Sequence, residues 1–97
     1  MFVKLNKYCV IESEAKTFVE MIKLEQKMNA TPSGLDSYTL LKDRENSKLY
    51  WLTEFWISEA DYLNYQKIES HKYFLELLKG VLESKHEQHM CEIVLSS

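Results

Sequence analysis

The segment Lys48–Trp56 constrains this chain more than any other. Residues of a strand alternate between two faces, so Leu49, Trp51, Thr53 and Phe55 share one side. Tyr50, Leu52, Glu54 and Trp56 share the other. Both sides are dominated by apolar and aromatic groups, and a strand of that kind is buried on both faces. The fold must therefore supply cover for each side of its sheet.

Cover for one side is legible in the helical segments. Ser13 offers an N-cap, with Glu14 in the first turn where the helix dipole favours an acid. From there Ala15, Phe18, Val19 and Ile22 fall at helical spacing and predict an amphipathic helix to about Met28. Asn29-Ala30-Thr31-Pro32-Ser33-Gly34 ends it, because Pro cannot continue a helix and Gly accepts a turn. Ser58-Glu59-Ala60-Asp61 is a capping-box-like start to a short helix reaching about Lys67. Glu69-Ser70 restarts the chain into a helix whose pairs Tyr73/Phe74, Leu77/Leu78 and Val81/Leu82 form an apolar stripe. Gly80 inside that stripe suggests close packing against a neighbour.

Three more strands complete the pattern. Phe2 to Ile11 sets Val3, Leu5 and Cys9 against Lys4, Asn6 and Tyr8. Leu35 to Lys42 is the second strand, and the polar run Asp43–Ser47 is a hairpin-type loop. His89 to Leu95 alternates again as the last strand. The order β-α-β-β-α-α-β predicts an α+β, ferredoxin-like fold with an antiparallel sheet, in one domain over residues 1–97. Helices cover one sheet face of such a fold. The other is apolar here, and the economical cover is a second copy of the chain, giving a homodimer built sheet on sheet.

Charge excludes some partners. The net charge of −3 and the scatter of Lys among Glu leave no cationic run, which argues against nucleic acid. No segment approaches the length of an apolar membrane span. Met1–Lys7 lacks the apolar core and small-residue site of a signal peptide. Cys9 and Cys91 are too few for a disulfide framework and read as buried small hydrophobes in a reduced, cytoplasmic protein. Phosphate-binding glycine loops and hydrolase motifs are absent. Two Trp, six Tyr and four Phe exceed what so small a core requires. Part of that surplus suits a pocket for a small aromatic ligand.

Several pieces together resemble the antibiotic biosynthesis monooxygenase superfamily, over nearly the whole chain. Gly34-Leu35 with Tyr38 and Leu40-Leu41 is similar to the family's second strand after its turn. Leu49-Tyr50-Trp51-Leu52-Thr53-Glu54-Phe55-Trp56 ends on Glu-x-Trp as the family's third strand does. Ser58-Glu59-Ala60 follows, and then Ser70-His71-Lys72-Tyr73-Phe74 resembles the signature at the head of the last helix. Tyr65 stands where many members carry a His. The resemblance implies a dimeric α/β barrel and a monooxygenase that oxidises a phenolic or quinol-like substrate with O₂, often with no cofactor. A haem-degrading branch is the alternative. Asn6 falls on that branch's first-strand Asn, Tyr65 on its Trp, and Phe74 near its His ligand, with His71 one turn earlier. A non-catalytic ligand-binding module on the same fold is the third reading.

The candidate residues follow. Asn6 reads as a donor to an oxygen intermediate or substrate carbonyl, or as a tie between strand and loop. His71 reads as a proton-transfer group, or as a packing His near a helix start. Tyr65 is the third catalytic candidate. Trp56, Phe74, Trp51 and Glu54 are candidate substrate contacts, and Glu54 in an apolar strand needs a partner if buried. His86 and His89 straddle a helix-to-strand change with no third ligand, so no metal site is expected.

Overall fold

The structure is a computed structural model that describes residues 2–28 and 34–97. The expected helix stop at Asn29–Ser33 lies outside the described residues. Strands β1 (Phe2–Cys9), β2 (Leu35–Lys42), β3 (Leu49–Trp56) and β4 (Glu87–Glu92) form one sheet in the order β2-β3-β1-β4. All three pairings are antiparallel. Helices α1 (Ala15–Met28), α2 (Glu59–Gln66) and α3 (Glu69–Leu78) complete the α+β, ferredoxin-like arrangement.

The helices cover the sheet face that carries the even-numbered residues of the two central strands. Along it β1 presents Phe2, Lys4, Asn6 and Tyr8, each directly opposite Trp56, Glu54, Leu52 and Tyr50 of β3. The ends are apolar. Tyr8, Tyr50 and Leu52 pack with Phe18 and Ile22 of α1 and with Leu78 and Val81. Phe2 packs with Leu35, Trp56, Tyr62 and Tyr65 in a second cluster. Between the two, in register, the covered face turns polar at Lys4, Asn6 and Glu54, all buried.

The opposite face carries Val3, Leu5 and Cys9 of β1, each in register with Phe55, Thr53 and Leu49 of β3. Trp51 on that face lies opposite Lys7 and Leu41. Among the described residues no helix packs on it, and Leu49, Trp51, Thr53 and Phe55 of β3 are half-buried there.

Four local expectations are corrected. Ser13 is not a cap: Glu12–Glu14 form a 3₁₀ turn, and Glu14 N–H donates to the Ile11 carbonyl at 2.8 Å, so backbone replaces the side chain. Gly80 is not closely packed: among the described residues a Cβ there would meet nothing within 4 Å, and it sits in a 3₁₀ turn after α3. The last strand runs Glu87–Glu92, not His89–Leu95, because Glu92 already pairs with Phe2 at the start of β1. Cys91 is exposed and Cys9 half-buried; both project to the bare sheet face rather than into the core.

One glycine is demanded by geometry. Gly34 has φ +88°, and a Cβ on it would lie 2.3 Å from Asp61 Cγ. Asp61 belongs to the cap of α2, where Ser58 Oγ accepts from Asp61 N–H at 3.2 Å and donates to Asp61 Oδ2 at 2.9 Å. The turn into β2 and the start of α2 therefore interlock.

Candidate active site

The polar stretch of the covered face meets matching polar residues from the helices. On α1 the buried stripe Phe18, Ile22 continues one turn on as Glu25 and Gln26, both buried. On α3 the inward positions are His71, Phe74, Leu75 and Leu78, while Tyr73 and Leu77 of the expected stripe are 66% and 50% exposed. α2 contributes Tyr65. Lys4, Asn6, Glu25, Glu54, Tyr65 and His71 are among the side chains around one buried cavity of about 20 Å³. That is room for one water-sized group.

Two hydrogen-bonded sets form its walls. In the first, Asn6 Nδ2 donates to the Leu52 carbonyl at 3.1 Å and to Glu54 Oε1 at 3.3 Å. Gln26 Nε2 donates to Glu54 Oε2 at 3.5 Å. In the second, Glu25 Oε1 accepts from the Tyr65 hydroxyl and lies 3.2 Å from His71 Nδ1. In a neutral imidazole a carboxylate so placed favours the tautomer that carries its proton on Nδ1. His71 Nε2, Asn6 Oδ1 and Gln26 Oε1 are buried and have no hydrogen-bond partner among the described residues.

Burial also shifts the charges. It pushes the Glu54 carboxyl above its ordinary range, against the pull of Lys4 and of the Asn6 and Gln26 hydrogen bonds. It pushes the Lys4 ammonium down, opposed by Glu54. The Lys4 Nζ rests 4.6 Å from the centre of the Tyr62 ring. Burial, and then the Glu25 carboxylate, raise the Tyr65 phenol far above its normal value. Tyr65 is thus held protonated, a donor to Glu25 and not a base.

Of the sequence candidates, Asn6, Glu54, Tyr65, His71 and Phe74 come together around the cavity. Asn6 does so with reversed polarity: its amide protons are engaged and its carbonyl oxygen is the open group. Trp56 is fully buried beside the site, its ring 5.3 Å from that of Tyr65, in the apolar cluster and not on the cavity wall. Trp51 is on the other face of the sheet, where Lys7 lies 5.5 Å from its ring, because strand alternation separates it from Glu54 and Trp56. Glu25, Gln26 and Lys4 complete the site and were not among the expected residues. Their signal was a pair of polar residues continuing the α1 apolar stripe, and a Lys sharing a strand face with Asn6. His86 stacks on Tyr8 at 5.0 Å, and among the described residues no group of three His, Cys, Asp or Glu side chains is set to hold a metal ion.

An apolar groove of about 320 Å³ runs along the outside of α1 and α3, between Met21, Leu24, Tyr73 and Leu77. Glu25 and Phe74 line both this groove and the buried cavity. The cavity beside His71 Nε2 has no room for a porphyrin, so these residues do not fit haem.

Comparison with known proteins agrees with this architecture. The family model for antibiotic biosynthesis monooxygenase matches residues 1–89. No curated protein matches the chain. Among solved structures, a conserved protein from Methanosarcina mazei Go1 superposes with TM-score 0.85 at 18% identity, covering 93% of this chain and 89% of that one. A mutant of SnoaB, a cofactor-independent oxygenase from Streptomyces nogalater, superposes with TM-score 0.89 at 14% identity, covering 98% and 94%. A candidate antibiotic biosynthesis monooxygenase from Deinococcus radiodurans gives TM-score 0.88 at 11% identity, covering 100% and 96%. At such identities the structures speak for the fold, and the family model carries the assignment: the chain belongs to the antibiotic biosynthesis monooxygenase family.

Proposed function

We propose that this protein is a cofactor-independent monooxygenase acting with O₂ on a small phenolic or quinol-like aromatic. The observation that carries the reading is His71, held through Nδ1 by Glu25, with Nε2 open and buried at a polar cavity. Such an imidazole is oriented to take a proton. The substrate ring lies in the apolar groove between α1 and α3, and its hydroxyl reaches past Phe74 into the cavity. His71 Nε2 takes the hydroxyl proton: the O–H bond breaks, an N–H bond forms, and the aryloxide and imidazolium balance in charge. Glu25 stabilises the imidazolium. The electron-rich aryloxide then reduces O₂ itself. One oxygen atom ends as a ring carbonyl and the other as water, as in phenol + O₂ → quinone + water, so no external reductant is required. Burial of these side chains keeps water from the anion, which leaves it poorly solvated and reactive.

The active unit in this reading is a cytoplasmic homodimer. Its support is the uncovered sheet face with Val3, Leu5, Trp51 and Phe55. The apolar residues Val94 and Leu95 after β4 are also 94% and 93% exposed in a single chain.

Incubation of metal-free protein with electron-rich phenols under ¹⁸O₂ tests the activity. The expected result is oxygen uptake with one labelled atom in the product. Absence of uptake above the protein-free rate contradicts it. The small cavity favours one second reading, a ligand-binding module without catalysis, for which the same experiment shows binding without uptake.

A further inference from the structure

We propose that Lys4 is a nucleophilic amine, and that the buried cavity takes up a short-chain aldehyde there as a covalent Schiff base. This needs no O₂ and stands apart from the monooxygenase reading.

The observation is a buried amino group that no protein acceptor serves. Lys4 is 5% exposed and lines the cavity. A charged ε-ammonium carries three N–H donors and needs acceptors or water for them. Among the described residues Lys4 Nζ makes no hydrogen bond and no ion pair; the Tyr62 ring centre lies 4.6 Å from it. Its register partner on β3 is Glu54, whose two oxygens are engaged by Asn6 and Gln26. The sealed polar atoms of the same wall are Asn6 Oδ1, Gln26 Oε1 and His71 Nε2, and Nζ is not one of them. The amine is thus where a small molecule meets this wall.

The surroundings decide its charge. Glu54 favours the ammonium, and the Glu25 carboxylate is taken up by Tyr65 and His71. The phenols Tyr8, Tyr62 and Tyr65 are all raised, so they stay neutral. His86, at the far end of the wall, opposes a charge on Lys4 when it is itself protonated. Burial outweighs the pull of Glu54 and takes the Lys4 amine below its ordinary value. The exposed Lys48 goes the other way, held up by its hydrogen bond to Glu83. At neutral pH more of Lys4 is therefore free amine.

The chemistry balances without a redox partner. The Nζ lone pair adds to the aldehyde carbon, and the C=O pair moves to oxygen, which takes a proton from nitrogen. The resulting hydroxyl meets open acceptors, Asn6 Oδ1 and His71 Nε2, on the same wall. It leaves as water with the second nitrogen-bound proton, and C=N remains. Protonated by solvent, the Schiff base keeps its cation beside Glu54 and the Tyr62 face, where the ammonium stood. A cavity of about 20 Å³ admits a carbonyl on a short chain and no ring.

Reductive methylation of the intact wild-type protein tests this, with limiting ¹³C-formaldehyde and cyanoborohydride at neutral pH. Peptide mass spectrometry then gives the rate at each lysine. The expected result is Lys4 methylated at least about tenfold faster than the exposed Lys16, Lys42 and Lys67. Lys48 should be the slowest. The advantage of Lys4 should vanish in urea, where its surroundings are lost. Glu54→Gln removes the carboxylate that favours the ammonium, and should speed Lys4 while leaving Lys16 as it was. A Lys4 no faster than the exposed lysines in the folded protein, an advantage that persists in urea, or a rate indifferent to Glu54→Gln overturns the proposal. Oxygen uptake plays no part in the readout, so this proposal and the monooxygenase reading fail separately.

Discussion

Glu25 Oε1 on α1 lies 3.2 Å from His71 Nδ1 on α3, and both side chains are more than nine-tenths buried. The same oxygen accepts from Tyr65. A buried carboxylate with two donors converts three helices into one rigid support for a single imidazole edge. Removing one member of so buried a set leaves the others unsatisfied.

Glu25 and Tyr65 are predicted to differ in kinetic weight. Glu25→Gln should lower kcat by about 10²-fold or more, the scale of a positioned acid–base group, with KM little changed. Tyr65→Phe should keep kcat within about tenfold, because the Tyr65 phenol only donates to Glu25. Steady-state kinetics on both variants, with thermal melts to show that each folds, decides between them. Equal losses would mean that Tyr65 itself handles the proton.

Glu54 gives a stability signature in pH. Its folded pKa is raised from 4.5 by burial. Between 4.5 and the folded value the native state binds more protons than the unfolded chain, so stability falls as pH rises through that window. Lys4 is lowered from 10.5, and below that value its contribution rises with pH instead. Glu54→Gln removes the first effect. Urea unfolding across pH should show the variant gaining on the parent from pH 4.5 upward. A constant difference between the two would contradict the burial of a charged pair.

Gly34 is predicted to be intolerant. Gly34→Ala forces an L side chain to φ +88° and drives its Cβ into Asp61. The backbone cost is about 1–2 kcal/mol, and disturbance of the Ser58–Asp61 cap adds about 1 kcal/mol. In an Asp61→Gly background the steric part should vanish while the backbone part stays, so the two changes should be non-additive in thermal melts. Strict additivity would show that the contact does not matter.

The uncovered sheet face predicts a sheet-on-sheet dimer. Sedimentation equilibrium at micromolar protein should show a dimer, and Phe55→Glu, which puts a charge beside Val3 on that face, should weaken it by about 100-fold or more. A monomeric parent protein would refute it.

Most of the fold was legible because its elements are locally consistent. The bounds of β2 matched as Leu35–Lys42, since a glycine turn and a polar loop flank it. The errors arose where tertiary partners decide. β4 ends at Glu92, which pairs with Phe2 where β1 begins, although Ile93-Val94-Leu95 has the right composition for a strand. The site was half legible. Asn6, Glu54 and His71 announced themselves as polar groups in apolar settings. Glu25 and Gln26 were hidden because a polar residue on a helix ordinarily faces water, and it is tertiary partners, Glu54 for Gln26 and Tyr65 and His71 for Glu25, that draw them inward. Trp51, read as a substrate contact by residue type, lies on the face opposite Glu54, as strand alternation already implies.

The central claim is that His71 presents an unprotonated Nε2 to the cavity. ¹⁵N spectroscopy of the His71 ring in the ligand-free protein at neutral pH measures this directly. The account predicts the proton on Nδ1, shared with Glu25, and a lone pair on Nε2. A proton found on Nε2 would contradict it.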